Sequence, residues 1–443
     1  MYIKAYTYDG FPHLIGTYTE ITGLSYAPSA DLAGASIPIN ELQVDIHTDD
    51  TIPIGGYAEL YDDLNNLWAQ YWIVYAEHID QQTLRLRAQS EIGILDKITL
   101  SATYYEAASI TSVLDEIIVW STLGSVVPMG YSLDSSFNNE TITGFCPNQT
   151  ARERLLWVTF TIGAYVKTFF NQTIAILPID NTVTRIPIGD TYWKPTVIYN
   201  DWVTALRGHS YSFTLGTPQT TDTYVQDALG NTYIVTETTF TIQNQLAPAG
   251  VPENIVDIKG LYLLNDDNVS GVLTRLTSWY FNRTEVDFDA INNGTYIPGD
   301  KVQVHTDDET IMAGYITSAT FAFGLQAKAK MHLTGVEDVA AGKLKILYKY
   351  NGVQIGKKVY SLPVGYTYAI TNPYIDKTMN GHRYIFRPLN ESITGTMTAG
   401  TTTVTQNCAV ALDLYKNVLH IVSVDGITTE QDETTLEITG VIE

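Results

Sequence analysis

Residues 46–57 read Ile-His-Thr-Asp-Asp-Thr-Ile-Pro-Ile-Gly-Gly-Tyr, and residues 304–315 read Val-His-Thr-Asp-Asp-Glu-Thr-Ile-Met-Ala-Gly-Tyr. The two stretches align without a gap at an offset of 258, sharing His, Thr, Asp, Asp, Gly and Tyr. Read locally, each predicts a strand–turn–strand hairpin with Asp-Asp at the turn, where short polar side chains satisfy free backbone groups. The offset is far longer than the period of a solenoid or propeller. The repeat therefore predicts two related β domains, separated by about half the chain.

The sequence on either side is strand-like, with short β-branched and aromatic runs separated by Gly, Asn, Asp and Pro. Trp68-Ala-Gln-Tyr-Trp-Ile-Val-Tyr is one such run. In Thr83-Leu-Arg-Leu-Arg-Ala-Gln, Leu84 and Leu86 alternate with Arg85 and Arg87, the pattern of a half-buried strand. Three segments carry helical periodicity instead. Ile110, Val113, Leu114, Ile117 and Ile118 follow a helix stripe, with Ser109 placed to cap it. Thr150 and Glu153 form a capping-box signature before Leu155, Val158 and Ile162, and Gly163 supplies the stop. Strands over 165–170 and 173–177, joined at Asn171-Gln172, follow. The third helix begins after Asn268, which is placed to cap it, with Val269, Val272, Leu273, Leu276 and Tyr280 on one face. The fold class is mainly β (α+β).

At about 150 residues per domain, 443 residues suggest roughly three domains. Apolar residues make up 45%, enough for sizeable cores and too many for a disordered chain. Only 16% of residues are charged, against a usual value of about 25%. Yet 48 acidic side chains face 25 basic ones, a net charge of −23, and there are 30 tyrosines. Such acidity argues against a dedicated or sequence-specific nucleic-acid binder, which needs a basic face for phosphates. With no apolar run of 18 residues, no transmembrane segment is expected. The first ten residues lack the basic and apolar regions of a signal peptide, so synthesis in a cytoplasm without ordinary export is expected. Residues 1–150 hold 19 acidic and 4 basic side chains. Residues 343–358 reverse the sign with Lys343, Lys345, Lys349, Lys357 and Lys358, and Ala340-Ala341-Gly342 just before them marks a domain boundary.

Motifs for chemistry are sparse. Cys146 and Cys408 lie far apart, without CxxC spacing or an activating neighbourhood, so neither a disulfide framework nor a zinc site is expected. None of the eight histidines has HExxH spacing. A metal site at His47 with Asp49, or at His305 with Asp307, would lack its third and fourth ligands, and a turn histidine is the better reading. Asp266-Asp-Asn268-Val-Ser270-Gly271 begins like a calcium loop, but Thr277 stands where the bidentate Glu should be. GxSxG, P-loop and GxGxxG motifs are absent. Asp62-Asp63 belongs to the wealth of solvated carboxylates before it belongs to a glycosidase pair. The Asn-x-Ser/Thr triplets at Asn148, Asn171, Asn282 and Asn390 are what a Thr-rich chain produces by chance. No catalytic, cofactor or metal residue is assigned, no cofactor is expected, and the chain is read as not an enzyme.

The order of elements resembles the bacteriophage tail baseplate hub or tail-tip family. The helix-then-hairpin from Thr150-Ala-Arg-Glu-Arg-Leu-Leu-Trp to Thr173-Ile-Ala-Ile-Leu-Pro-Ile carries the resemblance. So do Tyr296-Ile-Pro-Gly-Asp-Lys-Val-Gln-Val, Gly314-Tyr-Ile-Thr-Ser-Ala-Thr-Phe-Ala-Phe-Gly-Leu-Gln, and the helix ending Trp279-Tyr-Phe-Asn-Arg. It covers roughly residues 1–340. It implies two β-barrels per chain, so that a homotrimer presents six in a pseudo-sixfold ring matching a hexameric tail tube. The implied layout is a first hub barrel (1–105), a helical/hairpin insert (106–190), a β-rich connecting domain (191–268), and a helix with the second barrel (269–340). A C-terminal accessory β domain (341–443) follows; it resembles small modules of bacterial surface proteins.

The implied function is a structural virion protein, made in the host bacterial cytoplasm. It would join the tail tube or distal tail protein to a central spike, fibre or tape-measure protein, and let DNA pass. The alternatives are a receptor- or glycan-binding tail protein and a tail-associated cell-wall hydrolase. In the glycan reading Tyr366, Tyr368 and Tyr374 would stack on sugar; core or interface roles are the competing reading. Low charge with many tyrosines suits a surface committed to neighbours. The acidic first third, if it faced a channel, would repel DNA phosphates and let the genome slide.

Overall fold

The computed structural model describes residues 1–123, 129–168, 173–187, 190–191, 195–306, 310–323, 327–379, 382–415, 418–424 and 427–432. The chain divides into two compact units, one of residues 1–304 with 313–337, the other of residues 305–312 with 338–443.

The first unit is built on one 13-stranded sheet. Its N-terminal part comprises β1 (Tyr2–Tyr8), β2 (Pro12–Tyr18), β3 (Ile21–Tyr26), β4 (Glu41–His47), β5 (Tyr57–Tyr61), β6 (Leu67–His78) and β7 (Thr83–Gln89). They run in the order β3-β4-β7-β6-β5-β1-β2. The outer strands of this series, β2 and β3, are consecutive in the chain, so the sheet curls into a nearly closed barrel. Alternation drives the closure. Ile3, Leu42, Val44, Ile46, Leu60, Leu84 and Leu86 all point inward and are fully buried. Each such side chain contributes about 1.5–3 kcal/mol of burial. Arg85 and Arg87 lie on the opposite face, as the sequence alternation requires. There Arg85 forms a bidentate cross-strand pair with Asp45, Nε to Oδ1 at 2.8 Å and Nη2 to Oδ2 at 2.7 Å.

The same sheet continues through β3 into strand Ile311–Ala322, then Lys328–Val339, Thr284–Ile291 and Thr196–Tyr199. Strands Lys301–His305 and Val183–Arg185 branch from Ile311–Ala322. These six strands make a half-barrel. The join is a Phe321–Tyr26 pairing, reinforced by ring stacking at 5.6 Å and by Ala30 N donating to Thr317 O at 2.9 Å. The mainly β class holds, and the two β halves are one continuous sheet.

The repeat reads differently in space than in sequence. After residues 301–305 the chain forms the expected hairpin, because Lys301–His305 pairs with Ile311–Ala322. After residues 41–47 it does not. β4 pairs with β3 and β7, while β5 pairs with β1 and β6, so the first hairpin expectation is corrected. The physical reason is the extra strand β5, which the first half inserts between the loop and β6. Tyr57 opens that inserted strand, whereas Tyr315 lies within Ile311–Ala322. The shared glycines are needed on different grounds. A Cβ on Gly56 would sit 1.8 Å from Tyr6 O, and one on Gly314 would sit 2.8 Å from a Val336 methyl. Asp307 and Asp308, and the Asn171-Gln172 turn, lie outside the described residues.

Four helices sit among these strands: α1 (Ile92–Leu95), α2 (Ile110–Leu114), α3 (Ala151–Ile162) and α4 (Val269–Tyr280). Ser109 caps α2, accepting from Ser112 N, and α2 runs on as a π-helical segment over Asp115–Trp120. Ile110, Val113, Leu114, Ile117 and Ile118 are buried together with Leu155 and Val158 of α3. Asn268 stands at the start of α4 but makes no capping bond. Its side chain accepts from Asn265 N and donates to Leu263 O, both at 2.9 Å, and so braces the preceding turn instead. A four-stranded sheet (Tyr224–Gln226, Thr232–Gln243, Ala205–Leu215, Ile255–Ile258) packs on α4, where Gly208 lets Val269 and Leu273 close in.

The second unit is all β among its described residues. Strand Ala341–Tyr350 pairs antiparallel with Val353–Pro363 and parallel with Gly400–Tyr415. Leu344, Ile346 and Tyr348 face its core, and Lys343, Lys345 and Lys349 occupy the alternate positions.

Candidate functional site

The helix–hairpin element is the most heavily braced part of the first unit. Thr150 Oγ1 accepts from Glu153 N at 3.1 Å, and Thr150 N donates to Glu153 Oε2 at 2.9 Å, completing the capping box. Gly163 ends α3 at φ 81°, a left-handed position suited to glycine. Arg275 of α4 reaches across, donating to Phe160 O and stacking over the Phe160 ring at 5.4 Å. Burial pushes its guanidinium pKa down to about 10. At the other end Arg154 is fully buried. It donates to Glu116 Oε1 at 2.8 Å, Ser101 O at 2.6 Å and Pro147 O at 3.1 Å. Arg152 binds Ile37 O and Asp96. The strands Ala164–Thr168 and Thr173–Pro178 pair antiparallel behind α3. This geometry ties α3 to α4 at one end and to the α2 region at the other.

The residues weighed for chemistry are accounted for structurally. Cys146 and Cys408 are free and buried; burial pushes the Cys146 thiol up to about 12 and raises that of Cys408, which suppresses thiolate. His47 and Asp49 are both exposed. The neighbouring Asp50 instead accepts from Tyr18 Oη at 2.9 Å and ties the loop to the barrel. Asp62 closes the β5–β6 turn, accepting from Leu64 N and Asn66 N, each at 2.8 Å, so it is not poised across a cleft. Asp266 accepts from Ser210 Oγ rather than facing a cation loop. No group of three or more metal-ligating side chains converges among the described residues.

Two histidine clusters were invisible in sequence. His209 contacts Glu237 through Nδ1 and Asp257 through Nε2, the latter at 2.8 Å. His332 contacts Asp287 through Nδ1 at 2.7 Å and Glu285 through Nε2 at 3.6 Å. His209 places its two nitrogens on different carboxylates, whereas His332 hydrogen-bonds Asp287 alone and faces Glu285 at ion-pair distance. The partners come from neighbouring strands, 28 and 48 residues away for His209. Strand register brings them together, and sequence spacing carries no sign of it.

Two cavities open in the first unit. The larger, about 410 Å³, lies between the barrel (Tyr26, Trp68), the hairpin (Val166, Lys167) and the half-barrel (Ile297, Phe321). Beside it, burial lowers the Lys167 pKa and raises that of Asp300, so desolvation outweighs their mutual attraction. The smaller, about 270 Å³, is lined by Tyr8, Tyr57, Gln70, Trp72 and Glu91. In the second unit, Tyr366 and Tyr374 are exposed but Tyr368 is buried in the core, so the three tyrosines do not form one sugar-stacking platform. No helix among the described residues is long and apolar enough to cross a membrane.

No protein-family model matches this chain, and no curated protein matches its sequence. Among solved structures, the tail protein of Neisseria meningitidis MC58 matches with TM-score 0.50 and 11% identity, over 75% of this chain and 96% of that one. The 43 kDa tail protein of prophage MuSo2 from Shewanella oneidensis gives TM-score 0.49 at 12% identity, over 75% and 98%. Prophage tail protein gp18 from Listeria monocytogenes gives 0.48 at 11%, over 75% and 94%. The Neisseria match shows that the chain has the fold of that tail protein, and the sequence resemblance is met at the level of fold.

Proposed function

We propose that this chain is a structural component of a phage tail, a baseplate hub or tail-tip protein of the virion without catalytic activity. In this reading three copies form a ring that joins the tail tube to the central spike or fibre and lets DNA pass. The observation that carries it is the continuous sheet of a nearly closed barrel followed by a half-barrel. Two β units per chain let three chains present six to a hexameric tube, the economy that closed cyclic symmetry allows. Among the described residues, Thr196–Tyr199 and Val183–Arg185 end the half-barrel without a further strand beside them, and natural sheets ordinarily cover such edges. A neighbouring copy supplies that cover in a ring. The excess of acidic side chains in residues 1–150 suits a channel wall that repels phosphates.

Electron cryo-microscopy of the purified full chain, with native mass spectrometry at micromolar concentration, tests this reading. The expected result is a threefold ring with a central opening. A monomer across the concentration range, with no ring in the assembled particle, overturns it.

A further inference from the structure

The second unit carries a stretch charged oppositely to the chain as a whole. Residues 338–415 hold eight basic and four acidic side chains, in a protein of net charge −23. The basic residues are ordered by strand register. Strand Ala341–Tyr350 buries Leu344, Ile346 and Tyr348 in the core of the unit. Its alternate residues, Lys343, Lys345, Leu347 and Lys349, therefore share the opposite face and keep part of their surface in water. The parallel neighbour Gly400–Tyr415 sets Thr401, Thr403, Thr405 and Asn407 directly beside those four positions, and all four are exposed. On the other side, Val353–Pro363 sets Lys357 beside Leu347 and Val359 beside Lys345, both exposed. Exposed Arg387, opposite Ala409, extends the same face. Asp376 stands on the outer strand Ile375–Met379 and is already paired with Arg383. From Lys343 to Lys349 the cationic row runs for about 20 Å, at about 3.3 Å per residue.

We propose that this face binds a linear phosphodiester polymer of the polyol-phosphate kind. The polymer lies along the strands, its phosphates on Lys343, Lys345, Lys349 and Lys357 and its hydroxyls against the threonine row. Charge complementarity calls for an anion, and a straight row on an open sheet face suits an extended one. The side-chain chemistry narrows the class. Lysine is a point charge that serves phosphate well, whereas planar carboxylates are matched by the bidentate fork of arginine. Of the two arginines here, Arg383 is already spent on Asp376. Single-stranded nucleic acid is gripped by aromatic platforms, and the positions named on this face offer Leu347 and Val359 instead of rings. A long, stiff duplex would also meet the acidic remainder of the chain and be repelled. The proposal is independent of the tail assignment and survives its failure.

The test uses the full chain and purified poly(glycerol phosphate), read by affinity electrophoresis and titration calorimetry. Dextran, polygalacturonate and an oligothymidylate are the comparison polymers. Poly(glycerol phosphate) should bind, dextran should not, and the other two should bind at least tenfold more weakly. Four neutralised phosphates, with the coefficient of about 0.7 found for flexible single strands, give a slope of about −2.8 in log affinity against log salt. Affinity should therefore fall about 50-fold between 50 and 200 mM salt.

The triple variant Lys345→Gln, Lys349→Gln, Lys357→Gln should weaken binding at least tenfold and flatten the slope to about −0.7. Lys345→Arg, Lys349→Arg, Lys357→Arg keeps the charges and should restore binding, which separates a lost charge from a misfolded unit. Lys97→Gln, Lys259→Gln, Lys330→Gln, at exposed lysines of the first unit, should change nothing. No binding at low salt, equal binding of the oligothymidylate or polygalacturonate, failure of the arginine variant to restore binding, or an equal loss in the first-unit variant overturns the proposal. So does a glutamine triple that binds the polymer unchanged but loses self-association, which would give the face to a second copy of this chain.

Discussion

Breaking the Arg154–Glu116 pair should destabilise the packing of α2 and its π-helical extension on α3 unequally, depending on which partner is removed. Arg154 is wholly buried, while the Glu116 side chain keeps 29% of its surface in water. Glu116 is also held by Tyr105 Oη, which donates to Oε2 at 2.9 Å. Removing one partner of a buried pair generally costs about 3–5 kcal/mol, because the other charge is left uncompensated. In Arg154→Met the stranded group is Glu116, which has water and a tyrosine to turn to, so the loss should fall near ~3 kcal/mol. In Glu116→Ala the stranded group is a guanidinium with no solvent exposure and only neutral partners, the Ser101 and Pro147 carbonyls and a long contact to Tyr105 Oη, so the loss should approach ~5 kcal/mol. The Arg154→Met, Glu116→Leu double variant removes both charges and should recover to within ~1–2 kcal/mol of wild type.

A chain of two units need not unfold in one step, so bulk melting is the wrong readout. Native-state hydrogen exchange, read on the amides of α2, its π-helical extension and α3, isolates the affected region. Arg154→Met costing as much as Glu116→Ala, or both costing under ~1 kcal/mol, would refute the reasoning, since the burial asymmetry would then carry no energy.

Three further expectations follow from local geometry. Gly56→Ala drives a Cβ into Tyr6 O and should cost ~2–3 kcal/mol, whereas Gly314→Ala meets a Val336 methyl that can shift and should cost ~1 kcal/mol; native-state hydrogen exchange on the strand amides around each site ranks them. Hydrogen bonding from Arg85, despite opposing burial, holds the Asp45 carboxyl below its ordinary value. A depressed folded pKa contributes stability that is present above the unfolded value near ~3.9 and is lost as pH falls through the folded value. Asp45→Asn should therefore lower stability at pH 7 and flatten its decline in acid, measured by the protection of β4 and β7 amides against hydrogen exchange from pH 2 to 7. Thr150→Ala removes a donor's partner at the start of α3 and should cost ~1 kcal/mol, with faster exchange confined to the first turn.

The first helix cap, the capping box and the left-handed stop at Gly163 were readable because each is made within a few residues. The same holds for Leu84 and Leu86 pointing in and Arg85 and Arg87 pointing out, since a strand's period is local. Asn268 shows the limit. Its type suited a cap, but the turn before it offered Asn265 N and Leu263 O, and those partners won. The repeat shows the limit at longer range. Residues 46–57 and 304–315 resemble each other as strings, yet only the second lies in a hairpin, because the first half carries an additional strand.

The amino-acid sequence by itself determined the β character and the presence of the helices with their local caps and stop, which follow from periodicity and short-range capping. Tertiary structure alone decided which strands became neighbours. That choice made one sheet of two halves, placed His209 between Glu237 and Asp257, and buried the Glu91 side chain. Register between distant strands is settled by burying whole faces together, and no spacing along the chain encodes which polar groups that burial brings into contact or strands.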